Sequence, residues 1–242
     1  MPSSAVQLTA PVPRRVPWGF LGALGATTAL GWAWSLQLAS AGHHGLPLQA
    51  RILMWTTMMV GMMVPPEVPA LVRLARDGGR EPVASASAVL GGYLAVWAVA
   101  SAGLALLDAR LGAWGLLTHE MSSRSTPLSV GILAGAGLVQ VSPWKRACLE
   151  RCRALGTDRS PGLGRALVSG VRHGVASVSS CGVLMLVLLV VGAMNWVAMG
   201  ALTAFLIAER LVPAAMGPGL ARWTGLGLLL WSGGLAVRAG LG

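Results

Sequence analysis

Met54-Trp55-Thr56-Thr57-Met58-Met59-Val60-Gly61-Met62-Met63-Val64-Pro65-Pro66-Glu67 is the stretch on which the reading of the chain turns. Five of the eleven methionines fall within ten residues of one apolar segment, and two prolines and a carboxylate follow. Met54, Met58 and Met62 are spaced i, i+4, i+8 and share one face of a helix; Met59 and Met63 form a second pair beside it. Thioethers are soft donors that suit Cu(I) and leave harder cations alone. They are also adaptable packing material, so this stretch is either a soft-metal site or a flexible core.

Around it the chain is too apolar for a soluble domain. Of its 242 residues 55% are hydrophobic and 11% charged, with mean hydropathy +0.68. Several apolar runs approach the roughly 20 residues that span a bilayer. The fold class expected is all-α, a polytopic transmembrane helix bundle of about seven spans. After a disordered tail over 1–17, a single transmembrane domain fills 18–242. Its spans are placed at about 18–39, 50–76, 84–107, 126–144, 168–192, 196–213 and 219–240. Ala39-Ser40-Ala41 also resembles a signal-peptidase site, so a cleaved leader competes with a retained first span.

The net charge of +10 lies in the connections. With seven spans, 14 of the 18 Lys and Arg fall on the side of the N-terminus and 4 on the other. This predicts an N-terminus inside and a C-terminus outside. The basic residues set orientation and form no nucleic-acid platform, so the expected surroundings are lipid. The pairs Gly91-Gly92, Gly131–Gly135, Gly170–Gly174 and Gly233-Gly234 are candidates for close helix approach.

Chemistry concentrates in the fifth span. His173, Ser177, Ser180 and Cys181 lie at i, i+4, i+7, i+8, on one helical face. Polar side chains at membrane depth face the bundle interior and tend to be functional. Counted from opposite sides, Cys181 and Met62 each lie ~18 Å along their helices at ~1.5 Å per residue. Two helices thus bring sulfur to one depth. Pro65 and Pro66 remove helix hydrogen bonds and should kink the second span, freeing carbonyls that need partners. Glu67 and Glu209, at similar depth to His173, would form a charge network with Arg172 and Arg210.

Cys148 and Cys152 are spaced i, i+4 among cations that favour thiolate, and form a second candidate soft-metal pair. A disulfide is not expected in a reducing compartment. His43, His44, His119 and Met121 could capture a metal outside. No Ser/His/Asp or paired-carboxylate arrangement points to hydrolysis, and the chain reads as a binding protein more than as an enzyme.

At these residues the sequence resembles, from about 50 to 213, a bacterial family of seven-span integral membrane proteins described as metal-binding. The resemblance is carried by Met58, Met59, Met62, Met63 and Pro65; by Pro143, Lys145, Cys148, Cys152 and Arg153; and by His173, Gly174, Ser180, Cys181, Leu184 and Met185. Gly192, Met194, Asn195, Glu209 and Arg210 complete it. In that pattern cysteine is usual where this chain has Ser177 and Ser180, so Cys181 alone remains of a thiol cluster.

The resemblance implies multi-pass residence in a bacterial inner membrane and metal handling. The leading expectation is copper held by Met58, Met62 and Cys181, with His173 as a fourth ligand or proton partner. Met59, Met63, Cys148 and Cys152 are further candidates. Delivery, permeation or service as an accessory subunit of a membrane metalloenzyme would follow. The alternatives are a metal-free scaffold that docks a membrane or small soluble partner protein, and a proton-coupled transporter using Glu67, His173 and Glu209.

Overall fold

The structure is a computed structural model, and it describes residues 16–41, 46–77, 81–118, 121–153, 162–193, 195–212 and 216–240. Among these residues there are nine helices and no strand. They are α1 (Trp18–Ala41), α2 (Leu48–Asp77), α3 (Pro82–Ala113), α4 (Thr126–Val141), α5 (Pro143–Arg153), α6 (Leu163–Met185), α7 (Leu188–Val191), α8 (Trp196–Leu211) and α9 (Gly217–Gly240). The tail through residue 15, His43, His44, His119 and Met194 lie outside the described residues.

Local signals explain several boundaries. Pro82 sits at the start of α3, where its missing amide costs nothing. Ser125 Oγ accepts from Leu128 N at the start of α4, and Asn195 Oδ1 accepts from Val197 N and Ala198 N at the start of α8.

A helix lies at each of the seven expected spans. Three of them, Leu48–Arg76, Pro82–Ala113 and Leu163–Val191, are long and apolar enough to cross a membrane. A fourth is obtained if α4 and α5, bent by 64° at Ser142, count as one. α5 carries Cys148 and Cys152 on one helix, as their i, i+4 spacing suggests. The fifth span differs from expectation: it starts earlier, at Leu163, and breaks at Leu186 and Val187.

The helix pairs are set by small residues. A Cβ on Gly170 would sit 2.0 Å from Val89 O, one on Gly92 would sit 2.3 Å from Leu167 O, and one on Gly174 would sit 2.9 Å from Val96 Cβ. α3 and α6 therefore pack backbone to backbone along this seam. Gly31 meets Gly61 between α1 and α2, and Gly137 meets Gly225 between α4 and α9. Gly131, Gly135, Gly233 and Gly234 have open space around them, so those expected contacts do not form.

α2 stays helical through Pro65, Pro66 and Pro69. Pro65 has no amide to give Gly61 O, and Trp32 Nε1 on α1 donates to that carbonyl at 3.1 Å. The freed acceptor is satisfied by the neighbouring helix, which keeps α2 continuous.

Candidate metal centre

Eight of the eleven methionines are buried in one contiguous core: Met54, Met58, Met59, Met62, Met63, Met121, Met185 and Met199. Cys181 belongs to the same cluster. The five from α2 are each at most 2% exposed, so none of these thioethers points at lipid. Met185 and Cys181 lie one turn apart on the buried face of α6, which also carries His173 and Ser177.

The levels of α2 and α6 are fixed by hydrogen bonds. Glu67 Oε2 lies 2.7 Å from His173 Nε2. The Tyr93 hydroxyl of α3 donates to Met63 O at 3.3 Å and lies 3.3 Å from Ser177 Oγ. Four residues back along α2 correspond to four forward along α6, so the two run antiparallel in register. One further turn sets Met59 level with Cys181, and Met62 about one turn nearer His173. The face of α2 that bears Glu67 also bears Met63 and Met59 at the i−4 and i−8 positions. Met58 and Met62 occupy the adjoining face.

Cys181 donates its thiol hydrogen to Ser177 O at 3.0 Å, with Ser177 Oγ at 3.9 Å. The imidazole of His173 has Nε2 on Glu67, while its buried Nδ1 has no hydrogen-bond partner among the described residues. In the neutral tautomer whose Nε2 donates to the carboxylate, Nδ1 carries the lone pair. A carboxylate on the far nitrogen is how metal-binding histidines are commonly oriented.

The charged groups form two networks rather than one. Glu67 joins His173 and Arg210, with Arg210 Nη2 at 3.0 Å from Oε1 and 3.3 Å from Ser177 Oγ. Glu209 instead joins Lys145, whose Nζ lies 2.9 Å from Glu209 Oε2 and 3.0 Å from Ser180 O. Arg172 is exposed and takes part in neither. Lys145 stood out only as a motif residue of the resemblance, not by its charge. It follows a span end in a run of cations, which reads as solvated, yet it is fully buried.

Cys148 and Cys152 are both buried on α5. Cys152 lines a cavity with Glu67 and Arg210, so it approaches the first network. Met121, expected as an outer capture residue, is buried in the core instead. It is the one non-glycine residue with positive φ (+56°) among those described, held by Met121 N donating to Thr118 O and Ser123 N donating to Leu189 O.

No three His, Cys, Asp or Glu side chains converge as a metal set among the described residues. The buried core instead holds thioethers and one thiol, donors of the soft class that suits monovalent copper over a hard divalent ion.

No curated protein and no solved structure matches the chain. A family profile described as PpoB2, copper chaperone, matches residues 52–235, from the start of the methionine helix into α9. Three quarters of the sequence lies within that match, and the chain belongs to the PpoB2 copper chaperone family.

Proposed function

We propose that this protein is a multi-pass chaperone of the bacterial inner membrane that holds Cu(I) as cargo inside its helix bundle. The supporting observation is one buried core that contains both the five α2 methionines and Cys181 of α6. Met59 and Met63, on the face of α2 that carries Glu67, and Cys181 are the first ligands, with Met58 and Met62 adjoining them. His173 Nδ1 completes the set, and Glu67 orients that ring. Cys148 and Cys152 stand outside it. The cargo is handed to a membrane metalloenzyme or a small soluble partner, and seven crossings place the N-terminus in the cytoplasm.

Thioethers carry no charge and hold Cu(I) without oxidising or hydrolysing anything, so the arrangement serves storage and transfer. Elemental analysis of protein purified in mild detergent is the test. Copper near one equivalent is expected. Met59→Leu, Met63→Leu and Cys181→Ala combined should remove it while the helical content stays. Unchanged copper in that variant, or none in the parent after loading under reducing conditions, overturns the reading.

A further inference from the structure

A cavity of about 250 Å³ opens beside the second half of α2, where α5 and α8 end. Glu67, Arg73, Cys152, Arg153 and Arg210 are in its wall. Three guanidinium groups against one carboxylate leave two positive charges in excess. Arg210 is engaged by Glu67. Arg153 donates Nη2 to Glu209 O and Val212 O, and its buried Nε is without a hydrogen-bond partner among the described residues. Arg73 is exposed and makes no salt bridge among them. Such a cavity repels a bare copper cation and attracts an anion of small-molecule size. The thiol of Cys152 in the same wall is a group onto which a soft metal carried by that anion could exchange.

We infer that the cavity docks a small anionic thiol, of the glutathione class, that carries Cu(I), and that Cys152 takes the ion from it. This rests on the copper reading and on a cytoplasmic position for this end of the bundle, where such thiols are kept reduced. Copper stays in its +1 state throughout. The bond from copper to the carrier sulfur breaks as the bond to Cys152 Sγ forms, and the Cys152 proton goes to the departing thiolate. Glu67 lines the cavity and touches His173, so the docking place adjoins the buried donors.

The probe is metal-free S-methylglutathione, which keeps the carboxylates and has no thiol to exchange, titrated calorimetrically into the full chain in mild non-ionic detergent. Saturable binding is expected, weakened about tenfold or more by Arg73→Gln and unchanged by Arg172→Gln, which lies outside the cavity lining. No saturable binding overturns the proposal, as does equal competition by inorganic phosphate, which marks a general anion site. In a second arm, Cys152→Ser should lose loading from Cu(I)–glutathione and keep loading from Cu(I) in acetonitrile. Undiminished loading from Cu(I)–glutathione overturns the transfer step. Failure of the parent to load from acetonitrile overturns the copper reading itself, while the calorimetric arm still reports on the cavity.

Discussion

Lys145 Nζ lies 2.9 Å from Glu209 Oε2, and both side chains are at most 2% exposed. The pair ties α5 to α8, and the second bond from Lys145 to Ser180 O brings in α6. Removing one partner leaves the other charge buried and alone.

Lys145→Met should therefore cost about 3–5 kcal/mol of stability. The double replacement Lys145→Met with Glu209→Leu should recover most of that loss, since an apolar pair leaves no charge unpaired. Thermal unfolding of the three proteins in one detergent measures both steps. A single variant as stable as the parent would contradict the burial of the pair.

Glu67→Gln keeps the shape of the carboxylate and removes its charge from His173 and Arg210. If Glu67 orients His173 as a copper ligand, affinity for Cu(I) should fall roughly 10–100-fold. Competition with a chromophoric Cu(I) chelator reads the change. Arg172→Gln, at an exposed position outside the network, is the control and should leave affinity as it was.

Gly170→Val should prevent α3 and α6 from closing, because even its first carbon would meet Val89 O at 2.0 Å. Loss of folded protein in a detergent gel-filtration profile is the expected outcome. Gly131→Ala and Gly135→Ala meet nothing within 4 Å. Each should be neutral or stabilising by up to about 1 kcal/mol, as alanine is the better helix former.

Met62→Leu alone is close to volume-conserving, so its stability cost should stay below about 1.5 kcal/mol. Any loss of copper from this variant then reports ligation rather than packing. The pair of measurements, copper content and unfolding midpoint on the same sample, separates the two roles of the methionines.

The helices were legible because apolar length and the Pro, Ser and Asn at helix starts are local properties of the chain. The pairing of Glu67 with His173 was also within reach, because both carry charge at comparable depth in different spans. Lys145 was not, since its burial depends on α5 folding under α6 and α8, a tertiary fact that its cationic neighbours disguise. The glycines show the same limit. Gly170 and Gly131 look alike in sequence, and only the position of α3 decides that one is a contact and the other faces open space. Which methionine lies level with Cys181 likewise needed the register set by Tyr93.

The Ser177 hydroxyl stands within 3.3 Å of the Tyr93 hydroxyl and of Arg210 Nη2, and 3.9 Å from Cys181 Sγ. It is a joint shared by three helices. A metal that claimed the Cys181 sulfur would remove its hydrogen from Ser177 O and set a new charge beside the Ser177 hydroxyl. Arg210, whose guanidinium faces the opening beside Cys152, receives that change directly. Occupancy of the buried sulfur thus has a physical route to the protein's surface, where a recipient could tell a full carrier from an empty one.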